Sequence, residues 1–126
     1  MAQLQVHVIE ARNLKQKDKF SEDDAFIEIY LDDINQKRRT KVKQNSNNPT
    51  WDESFVFNHL QGQNILHIDV YDEDTIKNER IGSLQIDLHR LYDKNYIDDW
   101  FCIEDKHGIQ VQGEIHLHLY YEKLKI

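Results

Sequence analysis

The sequence predicts an all-β fold, an eight-stranded antiparallel β-sandwich, and three observations predict it. Apolar and polar residues alternate with a period of two along eight segments. Short clusters of Asn, Asp, Gly and Gln separate those segments. Only residues 89–97, "HRLYDKNYI", carry a helical pattern.

In the first segment, "LQVHVIEA" at 4–11, Leu4, Val6 and Val8 share one face and Gln5 and His7 the other, because successive strand side chains point to opposite sides. The same alternation predicts strands at 25–31, 38–43, 54–57, 64–71, 84–88, 99–104 and 113–121. Turn residues fall between them at 32–35, 45–49, 60–63 and 105–108. Short strands at this spacing suit a sandwich. Trp51 opens a strand just after Pro49, which cannot donate to a ladder, and reads as core. Cys102 alternates with Trp100 and reads as a small packed hydrophobe. Residues 11–24 make a connection long for so compact a domain, and loops of that length are usually functional.

A chain of 126 residues is long enough to bury a core of its own, so one domain over 1–126 is expected. Its single cysteine cannot form an internal disulfide, which favours a reducing, cytoplasmic compartment. No charged and apolar leader follows Met1, and no apolar run approaches the roughly 18 residues that span a bilayer. Membrane contact, if any, is peripheral. The formal charge of −7 argues against nucleic acid, because phosphate binding needs a net basic footprint. It also opposes anionic membranes unless something reverses the sign locally.

Acids gather in two places. Asp18, Asp23 and Asp24 lie in the first long loop, and Asp72, Asp74 and Glu79 lie between the strands at 64–71 and 84–88. Loops of a sandwich cluster at its two ends, so acids from both can converge. Two carboxylates about 4 Å apart repel by roughly 4 kcal/mol near a protein surface, and a bound cation offsets that. Calcium takes six to eight or so oxygen ligands in a tolerant geometry and suits such a set. Zinc would require His or Cys, which neither loop supplies, and magnesium favours fewer carboxylates and more water. The alternatives are acids that are merely solvated and a glycosidase pair, for which no sugar cleft is suggested. An EF-hand is excluded, since neither loop has its central glycine or flanking helices.

Four stretches together resemble the C2 domain, the calcium-dependent lipid-binding module found in protein kinase C and synaptotagmin. "VHVIEARNL" is similar to the family's opening strand, and "KDKFSEDDAFIEIY" to its first calcium loop. "NNPTWDESFVF" matches the Asn-Pro-x-Trp-x-Glu-x-Phe signature at Asn48, Pro49, Trp51, Glu53 and Phe55, and "VYDEDTIKNERIG" is similar to the third loop. The resemblance covers the whole chain. It implies a Greek-key C2 fold in the type II, permuted, phospholipase-like topology, with "GEIHLHLYY" at the end supplying the strand that other members carry first.

The resemblance assigns calcium ligation to Asp18 and Asp24 of the first loop and to Asp72, Asp74 and Glu79 of the third, with carbonyl oxygens near Lys17 and Glu73 in support. Three positions depart from the pattern: Asp23 stands where the family usually has Ser, Ala25 replaces Pro, and the third loop is one residue short, so Glu79 becomes a ligand only if the gap precedes it. Five carboxylates carry −5; two calcium ions leave −1 and a third would leave +1. Phe20 and Ile76 at the loop tips, flanked by Lys19 and Lys77, are then placed to enter the headgroup region of a membrane. Packing of Phe20 within its own loop is the alternative.

Alternation places Lys37, Arg39, Lys41 and Lys43 on one strand face. In kinase-like members a similar strand binds phosphoinositides, and Lys37, Arg39 and Lys41 match it, although Glu28 stands where those members carry Lys; a solvated face is the other reading. His7, His116 and His118 fit the polar outer face of a sheet better than a zinc site. The expectation is a non-enzymatic, monomeric, cytoplasmic calcium sensor that docks peripherally on anionic phospholipid membranes when calcium rises. The rival is a calcium-independent module that holds a protein partner on its sheet faces. No nucleophile, base or pocket supports an enzyme.

Overall fold

Leu4, Val6 and Val8 are fully buried, and so are Leu119 and Leu117 opposite Val6 and Val8 and Ile115 farther along, which is what a period-two pattern produces when two strands turn the same face to a core. The computed structural model describes residues 2–17, 21–32, 36–60 and 62–123. Eight strands follow in order: β1 (Ala2–Arg12), β2 (Ala25–Tyr30), β3 (Arg38–Arg39), β4 (Thr50–His59), β5 (Ile65–Asp72), β6 (Glu79–Asp87), β7 (Tyr96–Glu104) and β8 (Gln110–Lys123). A 3-10 turn (Leu88–Arg90) and a one-turn helix, α1 (Leu91–Lys94), stand between β6 and β7, where the helical pattern was expected. Asn95 ends the helix in the left-handed region at φ 68.

Every pairing is antiparallel, in the order β3-β2-β5-β6-β7-β8-β1-β4. Only one register pair, Ser83 with Glu104, joins β6 to β7. The eight strands therefore fall into two four-stranded layers with the core between them. Gly82 makes that seam close: a Cβ there would lie 3.1 Å from the Glu104 carbonyl oxygen and 3.1 Å from Ile103 Cδ1. Trp51, 4% exposed, reaches from β4 to β2 and donates its indole N–H to the Ala25 carbonyl at 3.3 Å. Ile27, Ile29, Leu66, Ile68 and Val70 fill the other layer's inner face. Each such side chain contributes roughly 1.5–3 kcal/mol by leaving water. Truncating the fully buried Leu117 to Ala is expected to cost about 2–5 kcal/mol, read as a lower denaturation midpoint.

Three expectations are corrected. The strand foreseen at 38–43 is paired in full only at Arg38 and Arg39, with an isolated bridge from Lys43 to Ala25. Between them the Thr40 hydroxyl accepts the Ile27 N–H at 2.9 Å, and the register slips by one residue, from Arg39 opposite Glu28 to Lys43 opposite Ala25. Glu79 begins β6 instead of lying in the loop. Cys102 is exposed, because Ile97, Phe101 and Ile103 take the inward positions of β7 and the alternation turns Cys102 out. No described helix is long and apolar enough to cross a membrane.

Candidate calcium and membrane site

Ala25 stands opposite Asp72 in the β2–β5 ladder, and that register brings the end of the first loop beside the start of the third. The Asp24 amide N–H donates to Asp72 Oδ1 at 2.8 Å, and the Glu73 N–H donates to the Asp24 carbonyl at 2.9 Å. Across β5 and β6, Asp72 stands opposite Glu79. Asp24, Asp72 and Glu79 thus share one end of the sandwich. The sequence-expected ligand Asp18 and the membrane-contact candidates Lys19 and Phe20 lie outside the described residues.

The third loop is held by its own side chains. Asp74 Oδ1 accepts the Ile76 N–H and the Thr75 hydroxyl, each at 3.3 Å, and Asn78 Oδ1 accepts the Asp74 N–H at 3.2 Å. This tight turn lifts Ile76 to 95% exposure, with Lys77 exposed beside it.

Burial pushes the Asp72 carboxyl up from its ordinary range; the Asp24 N–H pulls it back, and the charges of Asp24, Glu79 and Asp74 push it up again. A cation at this end would relieve that repulsion. The donors are hard oxygens throughout, which suits calcium and excludes a thiolate or imidazole metal. Among the described residues, no three carboxylate, imidazole or thiol groups gather closely enough to hold an ion by themselves. Part of the reason is visible: Asp72 Oδ1 faces the Asp24 amide and Asp24 Oδ1 accepts the Asn45 N–H at 2.7 Å, so each carboxylate turns one oxygen to the backbone.

Asp23 is the residue whose role the sequence did not reveal. It is fully buried. Its Oδ1 accepts the Lys17 N–H at 2.9 Å, its N–H donates to Asn47 Oδ1 at 2.9 Å, and its carbonyl accepts the Ser46 N–H at 2.8 Å. Its Oδ2 is buried with no hydrogen-bond partner. Burial pushes its carboxyl up, the Lys17 N–H lowers it, and the charges of Asp72 and Asp24 raise it further. Asn45 and Asn47 were legible only as turn formers, yet they fasten the first loop: Asn45 Oδ1 accepts the Glu22 N–H at 3.2 Å, and the Asn47 N–H donates to Glu22 Oε2 at 3.2 Å.

On the basic strand, Glu28 Oε1 lies 3.5 Å from Lys37 Nζ and Glu28 Oε2 lies 3.2 Å from Arg39. Arg39 also rests 4.5 Å above the Phe26 ring. Lys41 is exposed, and its N–H donates to Glu53 Oε2 at 2.9 Å. Lys43, opposite the inward Ala25, does not share their face, because the bulge at Thr40 reverses the alternation. Two of the three outer-face histidines are paired with acids, His7 with Asp52 at 2.6 Å and His116 with Asp98 at 2.5 Å, while His118 lies against the Tyr96 ring.

Residues 2–103 match the family model described as "C2 domain". Mouse extended synaptotagmin-3 is 36% identical over 122 residues, which are 92% of this chain and 13% of that protein. A calcium-bound structure of the C2A and C2B domains of extended synaptotagmin 2 superposes with a TM-score of 0.83 at 29% identity, over 95% of this chain and 45% of that one. The C2A domain of a plant extended synaptotagmin 1 gives a TM-score of 0.88 at 24% identity, over 99% and 97%, a likeness of fold. The chain thus spans a small part of the curated relative it matches.

Proposed function

That this chain belongs to the C2 domain family is the premise from which we propose that it docks on anionic phospholipid membranes in response to calcium. The observation that carries this reading is the pair of loops fastened face to face, with Asp24 bonded to Asp72 and Glu79 opposite it, under an exposed Ile76. Asp24, Asp72, Asp74 and Glu79, with Asp18 from the same first loop, are the calcium ligands, for two ions. Filling the site cancels most of the local negative charge and leaves coordination positions for lipid headgroups. Ile76 and Phe20 then enter the headgroup region, with Lys19 and Lys77 beside anionic lipid. A chain of this kind works as a monomer at the cytoplasmic surface of a membrane and catalyses nothing.

The experiment is a calcium titration by calorimetry, with and without phosphatidylserine vesicles. Calcium binding that tightens when anionic vesicles are present is the expected result. Equal binding to neutral vesicles, or binding undiminished by a chelator, overturns it. One observation favours a second reading, a calcium-independent module for a protein partner: the outer face of the β7–β8–β1–β4 layer exposes Val56, Tyr96 and Tyr120. The absence of calcium-dependent binding to phosphatidylserine vesicles would leave that reading in place. The pair of Lys37 and Arg39 serves phosphoinositides only against competition from Glu28.

A further inference from the structure

Among the described residues, cations also collect away from the basic strand. Lys15 and Lys17 in the first connection, Arg80 at the start of β6, and Lys106 and His107 on the β7–β8 turn line one cleft of about 340 Å³. A second hollow of about 330 Å³ continues it past Arg80 and Lys106. In a chain with 23 acids against 16 Lys and Arg, this gathering runs against the overall charge.

The acids near the cleft offset only part of its charge. Asp105 lines it and is kept ionised by its Oδ1 accepting the Ile109 N–H at 3.1 Å and the His107 N–H at 2.8 Å, and Glu104 lines the adjoining hollow, so in the cleft itself Lys15, Lys17, Arg80 and Lys106 face one carboxylate. Arg80 is bonded through one nitrogen to Asp69 at 2.9 Å. Lys15, Lys17 and Lys106 make no ion pair among the described residues. Both walls are fixed before any ligand arrives. The Asp105 N–H donates to the Ile109 carbonyl at 2.8 Å and the Gly108 N–H to the Asp105 carbonyl at 3.0 Å, with Gly108 at φ +77 closing the turn that carries Lys106 and His107. Opposite, the Lys17 amide is pinned to Asp23.

Lysines on fixed backbone act as point charges for a phosphate, which carries about −1.5 to −2 as a monoester at neutral pH. The cleft volume sits at the lower end of small-ligand pockets, roughly 300–1,000 Å³, and suits a compact phosphorylated group. A long polyanion would meet the negative remainder of the surface. We infer that the cleft between Lys15, Lys17, Arg80, Lys106 and His107 binds a phosphate monoester, either free or as a lipid headgroup, without calcium. None of the carboxylates proposed to hold calcium lines it, and Lys17 shares in the calcium site only through its backbone, so the inference does not rest on the calcium reading.

The test uses the full chain in chelator, with amide NMR shifts followed during titration with inorganic phosphate and with soluble inositol 1,4,5-trisphosphate. In parallel, sedimentation is measured with neutral vesicles with or without a phosphoinositide. Shifts gathered at 15–17, 80–82 and 105–109, lost in Lys15→Ala/Lys106→Ala, support the site, as does phosphoinositide-vesicle binding reduced roughly tenfold by that variant. Response to the soluble probes indicates a free phosphate; response to vesicles alone indicates a lipid headgroup. Shifts centred on 37–41, or binding by the variant equal to wild type in every arm, overturn it. If the double variant fails to fold, Lys106→Gln is read by the same shifts. The upward shift in melting with calcium should be the same in the variant and in wild type, which separates this site from the calcium reading.

Discussion

Asp24 donates its backbone N–H to the Asp72 carboxylate at 2.8 Å, so the acid proposed to hold calcium also sets the distance between the two loops. Asparagine at 72 keeps an acceptor oxygen and loses the charge. Asp72→Asn is therefore expected to melt, without calcium, at or above the wild-type temperature. With calcium at 100 times its dissociation constant, the wild type gains about 2.7 kcal/mol, or several degrees of melting temperature, and the variant gains little. Differential scanning calorimetry reads both. A wild-type transition that calcium does not move would sink the ligand assignment.

Asp23 gives a prediction with a pH sign. Its folded carboxyl is raised above the ordinary value of 3.8, burial being the first cause, so the ionised form is disfavoured in the fold. The stability it allows is complete below the ordinary value and is lost as pH rises through the raised one. In chelator, Asp23→Asn should match the wild type at about pH 3 and exceed it by on the order of 1 kcal/mol near neutrality. Urea midpoints at several pH values follow the difference. A gap that stays constant with pH would show that the buried carboxylate is not what destabilises the wild type.

Glu28 pairs with both Lys37 and Arg39 and offsets half of their charge. Glu28→Gln should then strengthen binding to phosphoinositide vesicles by roughly two- to fivefold, the scale of an exposed ion pair. Replacing Lys37, Arg39 and Lys41 by Ala should remove the preference for phosphoinositide over phosphatidylserine vesicles. Co-sedimentation at fixed salt measures each, and a Glu28 variant that binds no better than wild type would identify the strand as a solvated face.

Ile76 is almost wholly exposed and packs on nothing, so Ile76→Ala should change folding stability by less than about 0.5 kcal/mol. Docking is another matter. Burying an isoleucine is worth roughly 1.5–3 kcal/mol, and most of that is forfeited with alanine, so vesicle affinity should fall about tenfold. Calcium affinity in solution should not change. A loss of calcium affinity would place the residue in the loop's folding instead of at the membrane.

Alternation was a sound guide wherever one face meets the core. Leu4, Val6 and Val8, and Leu117 with its neighbours, lie where a period of two puts them. The pattern misled at Thr40, where a hydroxyl takes a backbone acceptor's place and shifts the register. It also misplaced Cys102, expected to pack and found exposed, since a small sulfur residue fits either face and only the neighbours Phe101 and Ile103 decide. At the candidate site, the meeting of the two acidic loops at one end was expected of a sandwich, and the contact of Asp24 with Asp72 and the pairing of Asp72 with Glu79 show it. The burial of Asp23 was not expected, because it depends on Asn45 and Asn47 arriving from a distant turn.

The pairing of Ala2 with Lys123 has a consequence for how the chain comes to be folded. Strand β1 finds one neighbour in β4 and the other only in β8, so during synthesis its second edge must wait until nearly the whole segment has left the ribosome. Contacts so distant in sequence close slowly, because loop entropy is lost before any burial is gained. Meanwhile a strand bearing Leu4, Val6 and Val8 has an unpaired side open to other nascent chains, which makes the interval before β8 emerges the period of greatest exposure to chaperones and to aggregation.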